Sequence, residues 1–526
     1  MKYFGIDLGT NNSIIASLNN DTLQIEGIKG SNNIKTIVRM DSLSEVSIGD
    51  TEIESLKNSL FRIKGKLADD KFIEFNNGKV SVQYCMALVL AYLRNKAEQV
   101  KDIVLTIPSF YNQSKRNATI ESARQAGFNN IKLIEEPSAA AMFHIYNSYK
   151  NGMGNINLSS KNIFVFDFGG GTLDLSLVEI TLDEKNKIKP NVKRIAGLQN
   201  FGGYYIDILL TQALINIALN NEENLDKKNM LIKIQTNLNN HINSYEDNNN
   251  DELLRLDEDS NKCLYKFLKE AERIKIELSK ADRVMINVEG FIEESELLRE
   301  DFEEYILRKK LIIKKIEEIL NEFKTINNEK IDEVILVGGT ARIPLIIDTV
   351  KENFVNSIMF TDEIYVQAVA LGSAIISALW QGHDVEPFGS NVCKGVMPRN
   401  INLLFNNIEF ECIKAGTGYP LKESIEIVLK IPFSLSKNIT INIYEEWDNK
   451  KKNICNTSFY HPCFFTGDEI KFIIDIDENG LLKFNAIHND TQEEIEFYSK
   501  KENELSINQI NNGRKQILEK VKFMEE

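Results

Sequence analysis

Apolar and polar residues fall in alternating blocks along the first two-thirds of the chain. Tyr3-Phe4-Gly5-Ile6 is a short apolar run ending at Asp7, and Ile103 to Ile107 is another, ending at Pro108. Ile131 to Ile134, Ile163 to Phe166 and Val334 to Val337 repeat the form, each closing on a polar residue or glycine. Short runs of this kind predict buried strands. Helical patterns lie between them. Leu264, Phe267, Leu268, Ala271, Ile274, Leu278 and Ala281 follow a three-to-four spacing along one face, which predicts an amphipathic helix. A further helix is expected around Met230 to Ile242, within the polar, Asn-rich stretch 220–261, with a solvated loop after it. The longest apolar run, Val366 to Trp380, contains Gln367, Gly372 and two serines. It is too short and too polar to span a bilayer and predicts a buried helix. Strands alternating with helices predict an α/β layered domain, whose ligands sit at the carboxyl ends of strands.

Near Gly382 the pattern changes. The stretch 382–389 carries Gly, Asp and Pro and predicts a linker. Beyond it, Ile439-Thr440-Ile441-Asn442-Ile443 alternates strictly. Lys471 to Ile476, the Asn479-Gly480 turn and Leu481 to Ile487 predict a hairpin. This is a separate antiparallel β domain. Ser506 to Gln509 is a capping box that would open a final helix, weakened by Gly513.

Composition narrows the function classes. Hydrophobic residues make up 43% and charged residues 26% of 526, enough for a sizeable core and too apolar for a disordered chain. Lys and Arg number 62 against 77 Asp and Glu, for a net charge of −15. No whole-protein basic footprint exists for nucleic acid or an anionic membrane. The N-terminus lacks an apolar stretch followed by a cleavage site, and the 6 Cys form no C-x-x-C pair. His461 between Cys455 and Cys463 matches no zinc spacing. Both features predict a cytoplasmic protein with reduced thiols.

One internal repeat changes the picture. Ile6-Asp7-Leu8-Gly9-Thr10 is echoed by Phe166-Asp167-Phe168-Gly169-Gly170-Gly171-Thr172. In each copy a strand delivers an Asp to its end. Glycines follow, whose backbone N–H groups can approach an anion closely. A Thr hydroxyl closes the motif. Paired Asp7 and Asp167 suit Mg²⁺, which favours one or two carboxylates plus waters and phosphate oxygens. Two such turns, with Gly338-Gly339 after a third strand, describe a clamp on a nucleoside triphosphate worked from two facing lobes.

At these residues the chain resembles DnaK-type heat shock protein 70 chaperones. Gly5 to Ser13 resembles their first phosphate motif, and Phe166 to Asp174 the second. Ile107 to Arg116 is similar to their first connecting motif, Glu136-Pro137-Ser138-Ala139-Ala140-Ala141 to the segment after it, and Val337 to Pro344 to the adenosine motif. Asp475 to Leu482 resembles a signature of the peptide-binding β-sandwich. The resemblance implies a two-lobed actin-like (ribonuclease H-like duplicate) ATPase domain over about 1–382. Lobe I would cover about 1–162, lobe II about 163–350 and closing helices about 351–382. A linker at about 383–395, a β-sandwich at about 396–500 and a C-terminal helix at about 501–526, a truncated lid, would follow.

It also implies residue roles. Lys64 would orient the attacking water and offset γ-phosphate charge. Glu136, Asp167, Thr172 and Asp174 would complete the catalytic group. Asp7 and Asp167 would hold Mg²⁺ through water. Asp7, Gly9, Thr10, Asn11, Gly169, Gly170, Gly171, Thr172, Gly202, Gly203, Gly338 and Gly339 would cradle phosphates. Glu272, Lys275 and Ser279, on one helix face, would hold ribose and adenine, with Arg342 stacked on the base; Pro108 and Arg116 would couple the domains. The cofactors would be ATP/ADP and Mg²⁺. The partners would be unfolded or extended peptide segments, a J-domain co-chaperone and a nucleotide-exchange factor, with no nucleic acid and no membrane.

The chain departs from the family in places. Asn11 replaces a Thr, Ile276 an Arg that sandwiches adenine, and Val366 an Asp. The stretch from Lys64 to Val80 is short, the linker lacks the run of leucines, and a full helical lid cannot form. These departures keep two alternatives open: a non-hydrolysing nucleotide-sensing partner or exchange-type co-chaperone, and a small-molecule kinase on the same ATPase fold.

Overall fold

The computed structural model describes residues 1–27, 31–40, 46–49, 59–68, 72–75, 78–98, 100–152, 161–246, 256–325, 329–389, 395–431, 438–447, 450–460, 467–492, 494, 497–500 and 517. Two sheets of the same topology organise the first 380 residues. In the first, the strands Lys2–Leu8, Asn12–Asn19 and Thr22–Ile25 form an antiparallel meander. Asp102–Ile107 and then Asn130–Glu135 add in parallel on the other side of Lys2–Leu8. In the second, Lys161–Phe168, Leu173–Leu182 and Ile188–Leu198 form the meander, and Glu333–Val337 and Ile358–Phe360 add in parallel. Both sheets therefore have the strand order 3-2-1-4-5. The sequence repeat at Asp7 and Asp167 is the local trace of this duplication.

Each sheet has its own hydrophobic core. One gathers Phe4, Ile6, Leu88 and Leu105; the other gathers Phe164, Phe166, Leu209 and Phe267. A third core lies between the sheets and is built on two helices, Glu136–Lys150 and Ala368–Trp380. These helices approach each other closely. A Cβ at Gly372 would overlap the carbonyl oxygen of Ala139, and one at Gly5 would overlap Ser373. Small residues at both positions let helix, strand and helix stack without a gap.

The apolar run from Val366 is not helical throughout. Its helix begins at Ala368, and Val366 ends a 3₁₀ turn, Glu363–Val366, with its side chain exposed. The helix expected over Met230 to Ile242 is longer, Leu225–Glu246. Its polar flanks extend it because Asn224 caps its start: the side chain accepts from the Asp226 and Lys227 amides.

Beyond residue 395 most of the described strands form a two-sheet β unit. A five-stranded sheet runs in the order Ile408–Ile413, Asn400–Phe405, Asn438–Trp447, Lys450–Tyr460, Phe497–Lys500. It packs on a three-stranded sheet, Ile425–Lys430, Glu469–Ile476, Leu482–His488, through Leu403, Ile443, Phe472 and Ile474. The hairpin expected at Asn479-Gly480 forms, with Gly480 at φ 71°. The expected capping box at Ser506 lies outside the described residues. Ile517 is described; it is helical and buried in the core of the first lobe. The Cys455, His461 and Cys463 side chains also lie outside the described set. Among the described residues no helix is long and apolar enough to cross a membrane.

Candidate functional site: the interlobe cleft

The two hairpin turns meet across a cleft between the sheets. A Cβ at Gly171 would stand 2.6 Å from Thr10 Oγ1, and one at Gly170 would stand 2.9 Å from Asn11 Cγ. The turns are kept open to each other by the missing side chains. The second turn is braced from behind: Gly169 N–H donates to Thr172 O at 3.1 Å, and Thr340 Oγ1 donates to Gly169 O at 2.8 Å. Gly203 N–H donates to Gly169 O at 3.0 Å and Tyr204 N–H to Gly170 O at 2.9 Å, so the start of helix Gly203–Asn221 is tied to the turn.

Carboxylates concentrate at the floor. Asp167 and Asp174 are directly opposed on neighbouring antiparallel strands. Like charges in that register are destabilising, so their retention on a buried face needs a reason outside stability. Burial pushes the Asp7 and Asp174 carboxyls up to about 7, with Glu136 adding to the effect, and pushes Asp167 well above its ordinary value. Thr106 Oγ1 donates to Asp7 at 3.2 Å, and the Ser109 amide donates to Asp174 at 2.9 Å.

One lysine answers these acids. Lys64 is buried in the turn Ile63–Lys66 and paired with Glu136, the first residue of helix Glu136–Lys150. Burial would lower the Lys64 pKa, but Glu136 and Asp7 outweigh it and hold it above the usual value. Tyr111 Oη donates to Lys64 O at 2.9 Å, and Lys115 Nζ to Gly65 O at 3.1 Å, so the connecting motif fixes the lysine's turn. Thr10, Arg62, Lys64, Tyr111, Gly171 and Thr172 line one pocket, as does Pro108.

The donor set fits a divalent cation of Mg²⁺ type. It supplies carboxylate and hydroxyl oxygens and an excess of buried negative charge. Among the described residues no three His, Cys, Asp or Glu side chains converge closely enough to grip an ion directly. An ion here would be held mainly through water, the habit of Mg²⁺.

Known proteins resemble the chain over nearly its whole length. The family profile described as Hsp70 protein matches residues 28–242 and 236–525. The chain belongs to the Hsp70 family. Similar curated proteins are each named chaperone protein DnaK. That of Mycoplasma mobile is 25% identical, covering 92% of this chain and 76% of that protein. Those of Thermosipho melanesiensis and Thermosipho africanus are each 27% identical, covering 99% of this chain and 83% of theirs.

Within this Hsp70 chain, the residues expected around the nucleoside are occupied by protein partners. Glu272 pairs with Lys35 of the first lobe at 2.6 Å; burial pushes its carboxyl up, but Lys35 outweighs this and holds it low. Lys275 Nζ donates to Asp207 Oδ2 at 2.8 Å and Gly203 O at 3.1 Å, and Ser279 Oγ donates to Lys275 O. Arg342 donates to the carbonyls of Leu336 and Thr361. Ile276 is 50% exposed on the same helix. Gly338 follows strand Glu333–Val337 at φ 84°, and its Cβ would overlap Phe168 O. Gly339 has open space beside it.

Arg116 lies at the junction with the β unit. It is fully buried, donates to Glu135 Oε1 at 2.9 Å and reaches Tyr419 Oη and Asn479 O, each at 2.9 Å. Tyr419 also donates to Glu135. Gln113 adds bonds to Gly480 O at 2.7 Å and from the Leu482 amide at 3.0 Å. No local pattern marks Lys35, Arg62, Asp207, Tyr204, Glu135 or Tyr419 as cleft or junction residues. Their partners come from distant segments. The one available signal was adjacency: Glu135 precedes Glu136, and Arg62 is two residues before Lys64.

Proposed function

We propose that the chain is an ATP-dependent molecular chaperone that slowly hydrolyses Mg-ATP between its lobes and binds extended peptide segments in its β domain. The observation that carries this reading is the Lys64–Glu136 pair set among Asp7, Asp167 and Asp174, where two duplicated hairpin turns face each other. Backbone amides of Gly9, Gly170, Gly171 and Gly202, with Thr10, Asn11, Thr172, Gly338 and Gly339, would cradle phosphates, whereas the amides of Gly169 and Gly203, bonded to Thr172 O and Gly169 O, would brace the turn instead. Protonated Lys64 offsets charge at the γ-phosphate and orients water. Asp174, its carboxyl pushed up to about 7 by burial, can accept the water's proton near neutral pH, with Asp167 and Thr172 beside it. A Mg²⁺ ion held by Asp7 and Asp167 through water would neutralise the β/γ oxygens.

The domain limits given above, 1–382, 383–395, 396–500 and 501–526, belong to this proposal, as do cytoplasmic residence, a J-domain partner and an exchange factor. In the β domain, Ile408 and Val428 expose apolar side chains on strands Ile408–Ile413 and Ile425–Lys430. Among the described residues each strand is the edge of its sheet, so main-chain groups would be available for strand-like peptide contacts. Arg116, in the same connecting motif as Pro108, would couple that domain to Glu136 through Glu135.

One feature favours a non-hydrolysing nucleotide sensor: Ile276, exposed on the helix that carries Glu272 and Lys275, offers no cation to adenine. Turnover decides. Purified full-length chain is expected to hydrolyse Mg-ATP, and Lys64→Ala to lose about a hundredfold or more while still binding nucleotide. Tight ATP binding by the wild type with turnover no higher than that of Lys64→Ala would leave only the sensor. Peptide affinity that ignores ATP would end the coupled chaperone reading.

A further inference from the structure

Arg62 has no part in the roles assigned so far, yet it lies at the mouth of the phosphate pocket. It adopts a left-handed backbone conformation, φ 55° and ψ 39°, immediately before the turn that carries Lys64. That conformation is unfavourable for a residue with a Cβ and persists only where surrounding contacts enforce it. The side chain is 3% exposed. Its guanidinium carbon lies 4.4 Å from the ring centroid of Tyr204. Tyr204 belongs to the second lobe: it is in the first turn of helix Gly203–Asn221, and its amide is bonded to Gly170.

We propose that Arg62, stacked on Tyr204, is a positioning residue that latches the two lobes together over the phosphate end of the cleft and slows nucleotide release. The contact joins the two elements that must separate when the cleft opens: the Lys64 turn and the glycine turn Gly169 to Thr172. A guanidinium shielded from water over an aromatic face is attracted far more strongly than an exposed one, so parting the lobes carries a cost that this pair concentrates at one point. The strained Arg62 backbone links the latch to chemistry, because Lys64 is held by the same turn.

The proposal rests on the nucleotide-binding reading above, and the experiment separates the two. Fluorescent MANT-ADP is loaded onto full-length protein with Mg²⁺ and chased with excess ATP in a stopped-flow instrument. Arg62→Met and Tyr204→Leu are each expected to raise the dissociation rate about tenfold, with the association rate little changed. The double variant is expected to be no faster than either single variant, because both remove the same contact. Tyr204→Phe keeps the ring and is expected to keep the wild-type rate, a rescue that general loosening of the fold would not give. Wild-type protein that fails to bind MANT-ADP overturns the nucleotide reading and the latch with it. Binding with unchanged rates in the single variants, additive effects in the double variant, or a fast Tyr204→Phe overturns the latch alone. If Tyr204→Leu does not fold, Arg62→Met and Tyr204→Phe decide by the same criteria.

Discussion

Single side chains in the cleft are poised by burial more than by any specific bond. Asp7 and Asp174 would titrate near 4 in an unfolded chain, and in the fold both are pushed up to about 7. A carboxyl whose folded pKa is raised favours the fold while it is protonated, and that contribution is lost as pH climbs from about 4 through 7. Nucleotide-free, Mg²⁺-free protein should therefore lose thermal stability over that window. Asp174→Asn removes one titrating group, so its melting temperature relative to wild type should rise from pH 5 to about pH 7 and level off above it. Calorimetry at matched ionic strength checks this, and a difference that stays flat with pH contradicts the assignment. Lys64 behaves oppositely: its acids keep it charged throughout the same range.

Elements are placed here by the absence of side chains as much as by their presence. Helix Ala368–Trp380 lies against strand Lys2–Leu8 and helix Glu136–Lys150, and Gly372 faces the carbonyl of Ala139. Gly372→Ala should destabilise the protein by about 1–3 kcal/mol through overpacking, although alanine is the better helix former by about 1 kcal/mol. Urea unfolding measures the net effect. A stabilised variant would mean that the two helices separate freely. The same reasoning explains why Gly170 and Gly171 lack side chains: bulk there would meet Asn11 and Thr10 and close the cleft from within.

At the scale of the molecule, the lobes and the β domain are joined by a buried charge network. Arg116, Glu135 and Tyr419 are all fully or nearly fully buried. Burial pushes the Tyr419 hydroxyl well above its ordinary pKa, which keeps it a neutral donor to Glu135. Removing Arg116 would leave the Glu135 carboxylate without its counter-charge, a loss of about 3–5 kcal/mol for a buried pair. Arg116→Met should therefore undock the β domain. Hydrogen exchange should then accelerate at the Leu482 amide, which is bonded to Gln113 in the docked arrangement. Protection of Leu482 equal to wild type would show that the junction does not depend on Arg116. Tyr419→Phe, which loses the hydrogen bonds to Arg116 and Glu135 but keeps their ion pair, should give a smaller change in the same direction.

Much of this was legible in order along the chain. The apolar runs ending at Asp7 and Asp167 marked the two strands that open each sheet, and the glycines after them marked the turns. Period-two alternation marked the hairpin at Asn479-Gly480. These signals are local, because strand burial, turn geometry and helix faces are set by residues within a few positions of each other. The sequence by itself thus determined the strand-and-turn duplication at Asp7 and Asp167 and the β-rich character of the C-terminal part, while Lys64, Glu136 and Asp174 were marked only by the family resemblance. It could not reveal that Asp167 faces Asp174 with Lys64 beside Glu136, that Lys275 is held by Asp207, or that Arg62 stacks on Tyr204. Nor could it reveal the Arg116–Glu135–Tyr419 junction, whose members are up to 303 positions apart. Such pairings depend on how whole layers settle against one another, and only the tertiary structure, by excluding water from particular contacts, decides which charges must find each other.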